Sequence, residues 1–292
     1  MSIIGQENTI KIITKELQAC MKTGQMPKSM LFYGEPGLGK SFLTDLVADS
    51  AIFKNRIDTY ANSLTAQKMK AILRGPAASK GRWVFIIDEI HALELEAGEL
   101  LYSIMLEGKY NDGWREKDVN LTVLGATTNP ELMPRAMFDR FFYKFRLEYY
   151  TPLELGKIVY QKHGAALDVE AITAIAARGR GVPRYTLQYA DMVLKCAVVK
   201  NVKTAGALEA SEAFELLGID ELGLNATDRQ YIRYLDSQGA PVGLAALSMA
   251  LSTPQRNLEF LVEPYLLRLG LIQRSSRGRV LGNHPHLEKL LA

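Results

Sequence analysis

Residues 34–41 carry the glycine and lysine spacing of a phosphate-binding loop. Their sequence, GEPGLGKS, matches the pattern G-x-x-x-x-G-K-S/T. Its glycines let backbone N–H groups curl around a phosphate, and the N-terminus of a following helix favours the same anion; they are Gly34, Gly37 and Gly39. Lys40 is expected to reach the β- and γ-phosphates, and the Ser41 hydroxyl is expected to ligate Mg²⁺. An ordinary glycine-rich turn is the alternative interpretation.

An acid pair, Asp88 and Glu89, follows a continuous apolar run at residues 83–87. Beside a phosphate loop, an acid at the end of a buried strand holds Mg²⁺, and the neighbouring glutamate orients the attacking water. Acid pairs are common on protein surfaces, so this interpretation depends on the loop. His91 is expected to be either structural or a modest contributor to the site.

Three apolar runs predict the strands that position these residues, at 30–33, 83–87 and 121–124. Each run is continuous, as in strands that are covered on both faces of a parallel sheet. A helical pattern at 40–51 follows the phosphate loop, which is the context that the motif requires. Ligands bind at the carboxyl ends of such strands, so the polar residues after each run are expected to form one site. The predicted fold is therefore α/β.

The rest of the chain predicts two further domains. Helical patterns at 153–163, 169–177 and 184–200 indicate a small helical domain. After it come a helix capped by Thr227, further helical segments, and two short strands at 271–274 and 279–281 that form a basic hairpin. Helices followed by such a hairpin indicate a winged helix. The predicted domains are 1–148 (P-loop ATPase), 149–221 (helical lid) and 222–292 (winged helix).

Composition excludes several classes of protein. The 292 residues are 48% hydrophobic and 23% charged, which is typical of a globular chain. No run approaches the roughly 18 apolar residues of a membrane span, and the N-terminus lacks a signal-peptide pattern. The only cysteines, Cys20 and Cys196, are isolated, so a cytoplasmic location is expected. The net charge is only +3, but residues 264–292 hold five Lys or Arg against one acid, a weak indication of nucleic-acid binding.

The chain resembles the RuvB family of Holliday-junction branch-migration motors, which are AAA+ ATPases. The resemblance covers nearly the whole length. Its motifs occur in order at residues 4–6, 33–40, 85–93, 124–128, 139–141, 180–184, 239–244, 263–266 and 277–279. The phosphate loop alone is unspecific, whereas this ordered set is specific to the family.

The resemblance implies roles for further residues at the nucleotide. Thr128 matches sensor 1, a polar side chain near the γ-phosphate, with Asn129 as the alternative. Arg140 matches the arginine finger that completes the neighbouring subunit's site, although an Arg beside Asp139 is also the pattern of a surface ion pair. Arg184 matches sensor 2 in the lid. Tyr150 matches the residue that packs near the adenine, with a core position as the alternative.

The resemblance also implies that the wing contacts the DNA backbone through its arginines, Arg274, Arg277 and Arg279, since Arg suits phosphate recognition. The implied activity is ATP hydrolysis, with Mg²⁺, coupled to branch migration of four-way junctions by a homo-oligomeric and hexameric ring. An AAA+ loader that remodels DNA-bound proteins is the alternative. A second alternative is a DNA-binding regulator that uses ATP only as a switch. This alternative is less consistent with a water-orienting acid at Glu89.

The sequence departs from the family in three places. Only four residues precede Gly5, where the family has an arm that helps to enclose the adenine, so the resemblance does not define the mode of base recognition. In the phosphate loop Glu35 replaces a usual proline. Phe42, a candidate nucleotide-binding position, replaces a second hydroxyl and thereby removes one potential contact with the nucleotide. Residues 107–118 are short and polar where the family has a long apolar hairpin that grips RuvA. Tyr110 and Trp114 are the only candidate anchors, and the alternative is that the two rings only pack across the turn as a cross-strand pair. RuvA binding is therefore expected to be weak or absent.

Overall fold

The computed structural model describes residues 3–111 and 115–291. The chain divides into two compact units, residues 1–150 and 151–292. No helix among the described residues is long and apolar enough to cross a membrane. The predicted boundary at 148/149 lies close to this division, and the second unit contains the predicted lid and winged helix together.

The first unit is built on a five-stranded parallel sheet with the order β2-β3-β6-β1-β7. The described part of this unit contains seven strands: β1 (Met30–Tyr33), β2 (Asn55–Tyr60), β3 (Trp83–Asp88), β4 (Lys109–Asn111), β5 (Glu116–Asp118), β6 (Leu121–Thr127) and β7 (Tyr143–Arg146). β4 and β5 form a separate antiparallel hairpin. The three apolar runs are thus confirmed as β1, β3 and β6. All of β6 is buried, as expected for a strand covered on both faces.

Five helices pack around this sheet: α1 (Glu7–Thr23), α2 (Lys40–Ala48), α3 (Ala66–Ala78), α4 (Leu95–Glu107) and α5 (Arg135–Arg140). The buried core on one face joins strand residues such as Phe85 and Val123 to Leu73 of α3 and Leu101 of α4. These apolar contacts fix the strand ends, because close-packed cores allow little movement. The carboxyl edge of the sheet therefore offers rigid positions for polar side chains.

The three helices predicted for the small helical domain are confirmed as α6 (Pro152–His163), α7 (Val169–Arg178) and α8 (Pro183–Val199), and a fourth helix that was not predicted follows them, α9 (Ala207–Leu217). Thr151 and Glu154 form a capping box at the start of α6, and Pro183 occupies the first turn of α8. Val159, Ile175 and Phe214 lie in the buried core that these helices share.

The winged helix has its own core, which includes the buried Tyr231 and Leu266. Its elements are α10 (Ala226–Gln238), α11 (Leu244–Ala250), α12 (Gln255–Asn257), a π-helical turn (Leu258–Val262), α13 (Glu263–Arg268), β8 (Ile272–Ser275), β9 (Gly278–Leu281) and α14 (Leu287–Leu291). The predicted cap at Thr227 is wrong: the Asn225 side chain accepts a hydrogen bond from the Asp228 amide at 3.0 Å, so α10 begins earlier. The hairpin prediction is confirmed, since β8 pairs antiparallel with β9.

Candidate nucleotide site and DNA interface

Sheet topology brings the predicted nucleotide residues to one edge. β3 and β1 both pair with β6, in parallel, so the three strands end side by side. The phosphate loop follows β1, Asp88 ends β3, and Thr128 follows β6. Three segments that are far apart in the sequence therefore meet at the carboxyl edge, which is where parallel sheets bind ligands.

The phosphate loop depends on glycine for its backbone. Gly34 and Gly39 have φ values of 141° and 99°, which L side chains rarely adopt. A Cβ at Gly34 would also lie 3.0 Å from the carbonyl oxygen of Leu147. The buried Lys40 donates from Nζ to the carbonyl oxygens of Gly34 at 2.8 Å and Glu35 at 3.0 Å. Its ammonium group thus lies against the loop that it is predicted to serve.

Ser41 and Asp88 supply the donor chemistry for Mg²⁺. Ser41 is exposed on the first turn of α2, and Asp88 is partly exposed at the end of β3. The Glu89 amide donates to Oδ1 of Asp88 at 3.0 Å, which holds that carboxylate at the strand end. Mg²⁺ is typically bound by one or two oxygen side chains together with substrate phosphates. These two residues fit that pattern.

Glu89 is held by the residue predicted as sensor 1. Its Oε2 accepts hydrogen bonds from the hydroxyl of Thr128 at 3.0 Å and from the Thr128 amide at 3.1 Å. Oε1 accepts no hydrogen bond from the residues that the structure describes. The backbone of Glu89 has a φ of 48°, a conformation that is uncommon for residues with side chains and that recurs at functional sites.

His91 belongs to the same network, a role that the sequence left open. Its Nδ1 lies 2.9 Å from the Thr127 hydroxyl and 3.2 Å from Oε2 of Glu89. The Asn129 amide donates to the Thr127 hydroxyl, and the Asn129 side chain donates to the Thr128 hydroxyl, both at 3.1 Å. The aspartate–glutamate–isoleucine–histidine order was the signal, because a short 3₁₀ turn from Ile90 to Ala92 returns the imidazole toward Glu89.

Tyr150 lies against the phosphate loop, where its hydroxyl donates to the Leu38 carbonyl at 3.1 Å. The preceding segment is held by Gln6, whose side-chain amide exchanges two hydrogen bonds with the backbone of Glu148, at 2.7 and 3.2 Å. Gln6 was recognised only as part of a motif. Its structural effect is to fix the segment that presents Tyr150.

The remaining nucleotide candidates, Phe42 and Arg184, form none of the hydrogen bonds described above. Phe42 is 47% exposed on α2. Arg184 is exposed in the first turn of α8, within the second unit. The predicted contacts of both residues with a nucleotide stay predictions.

Arg140 does not form the surface ion pair that its neighbour suggested. Asp139 instead pairs with Arg135, one helical turn earlier, at 2.8 Å. Arg140 has no acidic partner among the described residues, and its buried Nε has no hydrogen-bond partner there. Its guanidinium carbon lies 5.7 Å from the centroid of the Tyr102 ring. The side chain is therefore held by an aromatic contact that leaves its charge uncompensated.

Two of the three wing arginines are engaged by a buried acid. Glu263 is fully buried and accepts hydrogen bonds from Nε of Arg274 at 2.8 Å, from Nε of Arg279 at 3.0 Å and from the Tyr231 hydroxyl at 2.8 Å. Burial and the bond to Glu263 both raise the pKa of the Tyr231 phenol, so this group stays a donor. Arg277 is exposed in the two-residue turn and forms no side-chain hydrogen bond or ion pair with the described part of the chain. All three arginines were predicted to contact the DNA backbone, but their environments in the structure differ.

The short hairpin offers no apolar anchor in the part that is described. Tyr110 is 3% exposed and packs into the core of the first unit. All of β5 is exposed and charged, and Lys109 pairs with Glu116 at 2.7 Å. Trp114 and the Asp112–Gly113 turn lie outside the described residues. Tyr110 is therefore a core residue, and the idea that its ring is a docking anchor is wrong.

A parallel sheet with a phosphate loop and a strand-end acid pair that contacts a threonine after the next strand, followed by a small helical domain, defines an AAA+ P-loop ATPase, here with a winged helix attached. The family model described as the Holliday junction DNA helicase RuvB P-loop domain matches residues 1–147, and the RuvB C-terminal winged helix domain matches residues 221–285. The chain belongs to the RuvB family.

Individual relatives agree over nearly the full length. Holliday junction branch migration complex subunit RuvB from Oleidesulfovibrio alaskensis is 35% identical over 292 residues, which are 95% of this chain and 90% of the relative. The protein of the same description from Nitratiruptor sp. is 33% identical and covers 95% and 86%. The structure of the Thermotoga maritima RuvB Holliday junction branch migration motor superposes with a TM-score of 0.82 at 31% identity and covers 98% and 95% of the two chains.

Proposed function

We propose that this chain is an ATP-driven motor that moves four-way DNA junctions. The observation that carries the proposal is the network that binds Glu89 to Thr128 beside the phosphate loop, in a chain that also contains a RuvB winged helix. An ATP-binding switch without hydrolysis has no need for a positioned water-orienting acid. The relatives described as subunits of the Holliday junction branch migration complex support the choice of DNA substrate.

Hydrolysis follows from the positions of the chain's own groups. Lys40 and the loop amides hold the β- and γ-phosphates, while Thr128 fixes Oε2 of Glu89 and leaves Oε1 without a hydrogen bond from the described residues. Oε1 can therefore accept a proton from the attacking water. Mg²⁺, held by Ser41 and Asp88, neutralises charge on the phosphates when it is bound. Preorganised charge of this kind is the main source of catalysis in phosphoryl transfer.

Arg140 supports a ring, which we propose to be a hexamer. Its buried and unpaired Nε and its lack of an acidic partner among the described residues fit a cation that meets its anion in another subunit. The transition state then gains a positive charge only at an interface between two copies. Hydrolysis is expected to depend on assembly for this reason.

The experiment that tests the function is a comparison of hydrolysis rates with three DNA substrates: linear duplex, single strand and a four-way junction, each with and without a bacterial RuvA. A motor for junctions is expected to respond most strongly to the four-way junction. Equal rates with all substrates and with no DNA would contradict the proposal. A response that requires an added protein client, with no strand movement by the ring itself, would favour an AAA+ loader.

A further inference from the structure

A buried ion pair joins the turn before α8 to the winged helix. Nη2 of Arg180 donates a hydrogen bond to Oδ2 of Asp228, in the first turn of α10, and the two side chains are only 9% and 0% exposed. Nε of Arg180 donates to the Gly223 carbonyl at 2.8 Å. Buried pairs of this kind often add little to stability, so their presence calls for another explanation.

The backbone of Arg180 is strained and is held from the same side. Its φ is 54°, which is uncommon for a residue with a side chain and persists only where the surroundings enforce it. The Arg180 guanidinium lies 4.7 Å from the centroid of the Tyr265 ring. Arg268 donates from Nη2 to the Arg180 carbonyl oxygen. Both the side chain and the backbone of Arg180 are therefore fixed by α13 and α10 of the winged helix.

The residue predicted as sensor 2 follows within four positions. Only Gly181, Val182 and Pro183 separate Arg180 from Arg184, and Val182 is buried. Pro183 fixes its own φ and begins α8, and the Val182 amide donates to the Gly179 carbonyl at 2.9 Å, so the turn is held on both sides of Gly181. A shift of Arg180 with the winged helix would consequently move the first turn of α8 and the Arg184 side chain with it.

We propose that Arg180 is the positioning residue through which DNA on the winged helix acts on sensor 2. The inference rests on the proposed function, because it requires that the winged helix binds DNA and that Arg184 serves the nucleotide. DNA binding then changes the hydrolysis rate through one set of contacts with Arg180. These contacts are made by Asp228, the Tyr265 ring and Arg268. A purely structural role would change stability and leave the response to DNA intact.

The test compares hydrolysis without DNA and with a saturating four-way junction in the full-length wild type, in Arg180→Ala and in Arg268→Ala. Both variants are expected to hydrolyse ATP without DNA as the wild type does and to bind the junction with wild-type affinity. Their ratio of stimulated to basal rate is expected to fall to about one. Lys200→Ala is the matched control, because it breaks an exposed ion pair with Glu212 that lies within the lid; its ratio should equal that of the wild type.

Wild-type stimulation in Arg180→Ala and Arg268→Ala at saturating junction would overturn the inference. Absence of stimulation in the wild type itself would instead contradict the proposed function. If Arg180→Ala fails to fold, Arg268→Ala decides the question, because it removes the bond to the Arg180 carbonyl and leaves the buried ion pair in place.

Discussion

The hydroxyl and the amide of Thr128 both donate hydrogen bonds to Oε2 of Glu89, at 3.0 and 3.1 Å. The two residues follow neighbouring strands, and the contact joins the predicted sensor 1 to the predicted water-orienting acid. Two bonds to Oε2 limit the rotation of the carboxylate and leave Oε1 without a hydrogen bond from the described residues. A residue that orients water must above all be held in a fixed position.

Glu89→Gln should bind ATP with wild-type affinity and hydrolyse it about 10²–10⁴-fold more slowly, the usual contribution of a general base. The glutamine carbonyl can still accept both bonds from Thr128, so the site stays assembled. Equilibrium binding of a fluorescent ATP analogue and steady-state phosphate release would measure the two effects. Lys40→Ala is the contrasting variant and should lose tight binding. Wild-type hydrolysis by Glu89→Gln would remove Glu89 from the reaction.

Arg140→Ala should abolish most hydrolysis without weakening ATP binding to the same subunit. Arginine fingers in related systems contribute on the order of 10³–10⁵ in rate. If Arg140 acts in trans, a mixture of Arg140→Ala and Lys40→Ala subunits should recover activity, because hybrid interfaces contain one intact site. Subunit mixing would be verified by mass spectrometry of the assemblies. No recovery in verified mixed rings would exclude the trans role.

Arg277→Ala should weaken DNA binding equally across sequences and lower the slope of log affinity against log salt by about one. Its guanidinium is exposed, so stability should not change. Arg279→Ala should behave differently, since it removes a hydrogen bond from the buried Glu263 and should lower the free energy of unfolding by about 2 kcal/mol. Salt-dependent binding and urea unfolding distinguish the two variants. Unchanged stability of Arg279→Ala would show that Glu263 does not need this partner.

Arg180→Ala should show a stability deficit that grows with pH. Burial raises the pKa of Asp228, against the lowering effect of Arg180, and the nearby Asp220 raises it as well. Without Arg180 the pKa rises further above its unfolded value of about 3.9. The raised pKa stabilises the folded state at pH values below the unfolded-state pKa of Asp228. This stabilisation is lost as the pH rises through the pKa that Asp228 has in the folded state.

Urea unfolding of the wild type and of Arg180→Ala at about pH 4 and about pH 7 would measure this trend, with a deficit of about 3 kcal/mol at the higher pH. The double variant Arg180→Ala with Asp228→Asn has no carboxyl to titrate at this position and should lose the trend. A deficit that is equal at both pH values would contradict the assignment.

A bacterial RuvA should bind this protein weakly or not at all. The described part of the hairpin exposes charged residues, and Tyr110 is buried. Interfaces usually need a buried apolar anchor, and the part of this hairpin that the structure describes exposes none. Calorimetry with RuvA would measure the affinity, with a long-hairpin RuvB as the positive control. Affinity equal to that control, lost in Trp114→Ala, would show that the shortened hairpin suffices.

Local patterns in the sequence were sufficient for the phosphate loop, the acid pair and the three central strands, because each combines a fixed spacing with a continuous apolar run. The edge strand β2 was not predicted. It has a single neighbour, and its side chains alternate between partly buried and exposed, with Arg56 and Asp58 paired on its surface. An edge strand of this kind lacks the apolar signal of a central strand.

The two clusters around buried acids could not be predicted for a different reason. Glu263 lies 11 and 16 residues from Arg274 and Arg279, and Arg180 lies 48 residues from Asp228. None of these three separations is a local spacing with a known geometry, and all three pairs depend on the packing of the winged helix. Sequence patterns predict that the wing contains arginines. Only the fold shows that Arg274 and Arg279 bind Glu263, whereas Arg277 is exposed.

The most direct test of the account is strand exchange on a synthetic four-way junction with mobile arms and fluorescently labelled strands. In the presence of ATP and Mg²⁺, with and without RuvA, the wild type should convert the junction into two duplexes. Glu89→Gln, and the wild type with a non-hydrolysable ATP analogue, should bind the junction and leave it unchanged. The contradicting result is a protein that hydrolyses ATP in the presence of the junction but does not convert the junction, either with or without RuvA. That result would show that this chain is not a junction motor.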